Sequence, residues 1–299
     1  MRTLLERVSV GRGFELEVPK VYQDMQAKAE EVINERLRRY PKAMEMWKLL
    51  NSDAEVHACW DMADYITVAK LGFNDHGEVH AKIVAANALK ILDLLLESNV
   101  IPDIMKEKAG DEDDAHLIVM SGGLLHDIGN QVHRLNHNVS GVYIAISILN
   151  RLLPKVYDDQ EIMYEIRGHI LHTIYAHEFT IPDITIEAAI VGISDGTDMT
   201  KGRGRLAYDT GNVNIHTVSA LSIESVEITK GEMKPVQIRI IMSNSAGVFQ
   251  IQETLGKKIE HSNLKDYVEV VAEAHPEGAE KDARIIQRLI FKEGKFIAY

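Results

Sequence analysis

Apolar residues recur at helical spacing through roughly the first two thirds of the chain and alternate, strand-like, through much of the rest. Residues 21–39 and 41–50 are rich in Ala, Glu, Met, Leu and Arg and predict two helices. Pro41 between them is allowed at a first helical position. A third helix is expected over 53–70, ended by Gly72-Phe73-Asn74. Asp75-His76-Gly77-Glu78 has the form of an N-cap with an acid three residues on, opening a helix over 76–97. Ile83, Val84, Ala88, Leu92 and Leu95 give that helix a core face. Residues 101–114, with Pro102, Gly110 and several acids, read as a loop. Ala115–Leu125 leads into a helix ending near Gly129-Asn130, and further helices are expected over 137–152, 159–175 and 183–199.

The pattern changes after Gly202-Arg203-Gly204-Arg205. Residues 213–229 and 235–243 alternate and are rich in Val, Ile and Thr, predicting strands. A helix over 246–260 follows, then strands over 266–275 and 284–298, the last with a turn at Lys292-Glu293-Gly294. The fold class is therefore α+β: an all-helical domain over 1–205, followed by a small α+β domain over 206–299. The strand-helix-strand order is loosely similar to ACT-type ligand-sensing domains. A dimerisation domain is the plainer reading, and it makes a homodimer the expected assembly.

Composition narrows the partners. Forty-five acids against 33 Lys and Arg give a net charge of −12, which speaks against broad nucleic-acid or acidic-lipid binding. A single cysteine, Cys59, forms no internal disulfide and suits a reducing compartment. The N-terminus does not read as a signal peptide, and no long apolar run suggests a membrane span, so a cytoplasmic protein is expected.

Histidine needs a separate explanation: of 13, ten lie between His57 and His177. The strongest local signal is Gly122-Gly123-Leu124-Leu125-His126-Asp127-Ile128-Gly129-Asn130. A His-Asp pair closes an apolar helix, and the glycine after it lets the chain turn. Neutral imidazole and carboxylate together suit divalent first-row ions. His80 stands near the start of an amphipathic helix. Asp195 ends an apolar helix, where an acid opposes the helix dipole unless a cation is nearby.

The order His80, then His126-Asp127, then Asp195, each in helical context, resembles the HD superfamily of metal-dependent phosphohydrolases. The resemblance covers residues 57–200. It implies that His80, His126, Asp127 and Asp195 hold one divalent ion, with Asp127 and His126 the catalytic pair and Asp198 in support. Binuclear relatives, including the HD-GYP branch, add histidines between the His-Asp pair and the last Asp. His137, followed by Gly141 and an apolar helix, fits that pattern, as do His169 and His172 at i, i+3. His133 and His177 lie in the same stretch. The ion is open among Mn, Fe, Mg, Co and Ni, as one or two ions. The Gly-Tyr-Pro motif of the HD-GYP branch is absent, which puts cyclic-di-GMP hydrolysis in doubt.

The expected activity is hydrolysis of a phosphate ester, a nucleotide or another phosphorylated small molecule. An anionic substrate at an acidic protein needs local cations, and Lys82, Arg134, Arg203 and Arg205 are the candidates. Two other readings stay open. Some relatives use a di-iron pair for oxygenation, and a nucleotide-binding signalling protein would use the site without turnover. No catalytic constellation is evident in the C-terminal third.

Overall fold

The computed structural model describes residues 5–9, 15–200, 219–274, 288–292 and 295–298. Strands β1 (Leu5–Ser9) and β2 (Glu15–Pro19) form an antiparallel hairpin that feeds directly into α1 (Lys20–Arg36). The helices that follow are α2 (Pro41–Asn51), α3 (Ala54–Asp64), α4 (Glu78–Glu97), α5 (Asp103–Lys106), α6 (Glu112–Leu125), α7 (His137–Leu152), α8 (Gln160–Ala176) and α9 (Ile186–Thr197). Pro41 occupies the start of α2, as its fixed φ favours. Helix α3 runs on into a π-helical turn, Tyr65–Lys70, before the chain reaches Phe73 and Asn74.

Helix α6 is the central element. Every residue from Asp113 to Leu125 is buried, which its apolar composition on all sides dictates. It packs against α2, α4, α8 and α9. The approach to α4 is close enough that a Cβ on Gly123 would lie 2.7 Å from the Ala85 Cα, so glycine is needed here for space. Trp60 of α3 donates its indole N–H to the Leu124 carbonyl at 2.9 Å, satisfying one of the carbonyls that the end of α6 leaves without a helical partner.

The segment 101–114 is not all loop. Asp111 and Asp114 form a reciprocal capping box, so α6 opens at Glu112, and the segment also contains α5. Asp113 accepts hydrogen bonds from Lys42 and Ala43 N–H, both at 2.9 Å, and caps α2 across space. A helix-boundary rule applied along the sequence misses that last role, because the helix being capped lies about 70 residues away.

After residue 219, β3 (Ile223–Lys230), β4 (Val236–Met242), β5 (Val268–Ala274), β6 (Arg288–Lys292) and β7 (Lys295–Ala298) make a sheet in the order β3-β4-β5-β6-β7. Strands β4 and β5 are parallel, and the other neighbours are antiparallel. A parallel pair needs a crossover. It is supplied by α10 (Gly247–Ile251), a π-helical turn (Gln252–Gly256) and α11 (Lys257–Glu260). The expected strand over 213–229 is seen only from Ile223: residues 219–221 are helical, and those from 213 to 218 lie outside the described residues. Strands β3 and β4 touch α4, while the crossover helix touches α9. Ile251, Leu255 and Ile259 belong to the same apolar core as the helices, so the core is continuous across both parts. Among the described residues no helix is long and apolar enough to cross a membrane.

Candidate metal centre

Four imidazoles pack edge to face in a row, His80–His126–His177–His137, with ring centroids 5.0, 4.9 and 5.0 Å apart. All four are buried. His80 is in the first turn of α4, and its backbone N–H donates to Asp75 Oδ2 at 3.1 Å. Gly77, not Asp75, is the residue that precedes the helix; Asp75 instead reaches the Gly77 and His80 N–H groups from two residues further back. His126 follows the last residue of α6, and Asp127 leaves the helix at φ −103°, ψ 1°. The pair therefore straddles a helix end, which frees the two side chains from the divergence that one continuous helix would impose. Gly129 is required by crowding: a Cβ there would lie 1.8 Å from the His137 carbonyl oxygen and 2.4 Å from the Gly141 nitrogen. Asn136, in the left-handed region at φ 58°, ψ 30°, turns the chain so that His137 begins α7 against that glycine.

The hydrogen bonds fix the tautomers. His126 Nδ1 donates to the Gly123 carbonyl at 2.8 Å, His177 Nδ1 to that of Ile174 at 2.6 Å, and His137 Nδ1 to that of Arg134 at 3.0 Å. His80 Nδ1 donates to Asp198 Oδ2 at 2.7 Å. Those oxygens only accept, so the proton of each neutral ring sits on Nδ1 and the Nε2 lone pairs all face inward. His80 and His126 Nε2 stand 3.1 Å apart, and His137 and His177 Nε2 stand 3.0 Å apart. Lone pairs facing at that distance repel unless positive charge lies between them. Donors about 2.1 Å from one ion stand roughly 3.0–3.4 Å from each other. The donor set fits a divalent metal.

Asp127 faces both ends of the row. Its Oδ2 is 3.4 Å from both His80 and His126 Nε2, while its Oδ1 is 3.2 Å from His137 and 3.8 Å from His177 Nε2. Asp195 Oδ1 closes the first set, 3.2 Å from His80 and 3.7 Å from His126. Glu178 Oε1 borders the second, 3.6 Å from His137. His80, His126 and Asp195; His126, Asp127 and His177; and His137, His177 and Glu178 each bring three donor atoms within 4.8 Å of one another.

Burial raises the Asp127 carboxyl, but His126 and His76, together with hydrogen bonds from His126 and His137, overcome it and hold the group well below the usual carboxylate range. Asp195 behaves alike: burial opposes ionisation, and Lys258, His126 and His80 outweigh it. His177 is pushed well below an ordinary imidazole by burial and by the neighbouring His126 and His137. Two ionised carboxylates and a neutral ring are the protonation states that metal ligation requires.

A cavity of about 390 Å³ opens onto Asp127 and Asp195. Phe73, His76, Arg134, Phe179 and Met199 line it, and the crossover helix contributes Gln250, Glu253, Thr254 and Lys258. Arg134 lies 3.6 Å from Asp127 Oδ1 and 3.6 Å from Glu178 Oε1. Lys258 Nζ donates to Asp195 Oδ2 and to the His177 carbonyl, both at 2.7 Å.

The structure thus gathers His80, His126, Asp127, His137 and Asp195. It does not bring in His169 and His172, which lie earlier on α8 and outside every one of the potential metal-holding groups. Lys82 does not reach the cavity; its ammonium binds Glu30 at 2.5 Å and Glu78 at 2.6 Å, between Trp47 and Trp60. Arg203 and Arg205 lie outside the described residues. From the sequence His177 is one more histidine of the stretch between the His-Asp pair and the last Asp and not a favoured ligand, and Glu178 and Lys258 carry no assignment. His177-Glu178 carried a usable signal: it follows the end of α8 as His126-Asp127 follows α6, and each histidine anchors Nδ1 on the carbonyl three residues back.

Residues 79–200 match the HD domain family, a span that holds every imidazole and carboxylate of the two donor sets. The chain belongs to the HD superfamily of metal-dependent phosphohydrolases. It is 44% identical, over 228 residues, to the uncharacterized protein MJ1020 of Methanocaldococcus jannaschii, an alignment covering 76% of this chain and 88% of that one. No solved structure matches the chain.

Proposed function

We propose that the protein hydrolyses a phosphate ester of a small molecule, of about mononucleotide size, at a two-metal centre. The observation that carries this reading is the Asp127 carboxylate, whose two oxygens face two separate imidazole pairs. His80, His126, Asp127 and Asp195 would hold one ion; Asp127, His137, His177 and Glu178 would hold the other. Divalent ions held there would lower the pKa of water and polarise phosphoryl oxygens.

The chain's own residues supply orientation. Asn130 Nδ2 donates to Asp127 Oδ1 at 2.8 Å and to the Asp127 carbonyl at 3.0 Å, which fixes the carboxylate that spans the two donor sets. The carbonyl anchors on three of the Nδ1 atoms keep those imidazoles in the ligating tautomer. Arg134 places a cation beside Asp127 for the anionic ester. Phe73 and Phe179 give the cavity apolar surface next to its charged end, suited to a nucleoside or a similar ring.

The test is hydrolysis of generic phosphomonoesters, phosphodiesters and nucleotides with Mn, Mg, Co, Ni or Fe added. Turnover that disappears in His126→Ala and Asp127→Ala supports the reading. Activity unchanged in both variants, or metal content absent from the wild type, overturns it.

A further inference from the structure

A phosphate ester at an acidic centre needs positive charge from the protein, and the cavity wall names its source. Among the described lining residues, Arg134 and Lys258 carry the fixed positive charges, facing carboxylates of the lining itself: Asp127, Glu178, Asp195, Asp198 and Glu253. Arg134 comes from the turn before α7. Lys258 comes from α11, 63 residues beyond Asp195.

The placement of Lys258 is built into the fold. Gln250, Glu253, Thr254 and Lys258 share one helical face, with the π-helical turn between them adjusting the register, and that face forms the cavity wall. The helix docks onto α9 at the turn that carries Asp195. A Cβ on Gly196 would lie 3.1 Å from the Leu255 Cα, so a side chain there would press on the crossover helix. The neighbouring Lys257 is held by Glu253 at 2.6 Å, whereas Lys258 points inward with 12% of its side chain exposed.

Both partners of the Lys258 ammonium belong to the centre: Asp195 Oδ2 and the backbone carbonyl of His177. With Asp195 committed to a metal through Oδ1, its charge is shared and no longer neutralises the ammonium. A buried, undercompensated cation at the cavity wall recruits an anion. An ammonium is a compact point charge that suits a phosphoryl oxygen. Resting on the phosphohydrolase reading, the geometry points to Lys258 as a phosphate-binding residue, supplied to the helical metal centre by the C-terminal strand-helix-strand segment.

The experiment compares wild type, Lys258→Met and Lys258→Arg as full chains, with folding checked by circular dichroism. Mn binding is measured alone, and inorganic phosphate binding is measured on the Mn-loaded proteins by calorimetry. Lys258→Met should bind Mn within about threefold of wild type and phosphate on the order of 10- to 100-fold more weakly, the size of one charge-assisted hydrogen bond. Lys258→Arg should recover most of the phosphate affinity. In turnover the loss should appear mainly in KM. Unchanged phosphate affinity in Lys258→Met overturns the assignment, and so does a loss of Mn binding that accounts for the phosphate loss, which would make Lys258 a support for Asp195 only. If Lys258→Met does not fold, Lys258→Gln decides: a loss of phosphate affinity on the order of 10- to 100-fold with normal folding and Mn binding supports the assignment, and wild-type affinity overturns it. A wild type that binds no phosphate and turns over no ester fails the phosphohydrolase reading itself, a result distinguishable from failure of the Lys258 assignment alone.

Discussion

His137 Nε2 and His177 Nε2 stand 3.0 Å apart across 40 residues of sequence, with each ring's proton held on the far nitrogen by a backbone carbonyl. On the proposed two-metal reading the pair would hold its own ion, joined to the His80 and His126 set through Asp127. Removing one member should therefore remove one ion. His177→Ala is expected to lower metal content from about two to about one per chain, measured by elemental analysis of protein loaded with Mn. Asp127→Ala should lose most of both. Two ions retained in His177→Ala would dismiss the two-site arrangement.

His169 and His172 provide the contrast. Among the described residues, neither belongs to a group of donors within reach of a common ion. His169→Ala and His172→Ala should keep Mn affinity within about twofold of wild type, as surface-like changes away from a site do. A tenfold weakening in either would place that histidine in the centre.

Gly129 is predicted to tolerate no side chain. A methyl there meets backbone atoms of His137 and Gly141, and backbone cannot swing aside as a side-chain tip can. Gly129→Ala should cost about 3 kcal/mol or more in urea-induced unfolding, the upper range for overpacking. It should also weaken Mn binding, since α7 carries His137. A variant of wild-type stability would show that α7 can shift.

Lys82 tests a different distinction. It is nearly fully buried, while Glu30 and Glu78 are about one third exposed. Lys82→Met removes the shared counter-ion of two carboxylates and should destabilise the fold by about 1–3 kcal/mol. It should leave KM for any substrate unchanged, because the ammonium lies away from the cavity. A rise in KM without loss of stability would return Lys82 to a substrate role.

Acid stability should depend on Asp93. Burial raises this carboxyl, but hydrogen bonds from His116 and Arg36 overcome it and set it below its ordinary value. A carboxyl held low in the folded state stabilises above its unfolded pKa of about 3.9, and that stabilisation disappears as pH falls through the folded value. The stability advantage of wild type over Asp93→Asn should be greater near pH 5 and shrink as pH falls below about 4. Urea midpoints across that range measure it, and an advantage that grows on acidification would contradict the sign.

What the sequence revealed depends on how local each cause is. His80, His126-Asp127 and Asp195 were legible because each sits at a boundary of a strongly apolar helix, and such boundaries are written in nearby residues. The i, i+3 spacing of His169 and His172 shows that they share a helix face. It does not say which face, and the packing of α8 against α6, α7 and α9 decides that. The segment 101–114 read as a loop because the roles of its acids, capping α6 and capping α2, depend on a helix start and on a distant helix. The crossover helix was visible as an apolar stripe, but its docking beside Gly196, and with it the role of Lys258, is a tertiary event that periodicity does not encode.

The groups that meet at the centre are spread along the chain from residue 80 to residue 258. During synthesis at about 5–20 residues per second, roughly ten to forty seconds separate the emergence of His80 from that of Lys258. A nascent chain holds isolated histidines long before it holds a pocket. On the two-metal reading every ligand would have emerged with Asp195, about three to thirteen seconds before Lys258, so metal capture would not have to wait for the finished protein, whereas a phosphate-binding wall would.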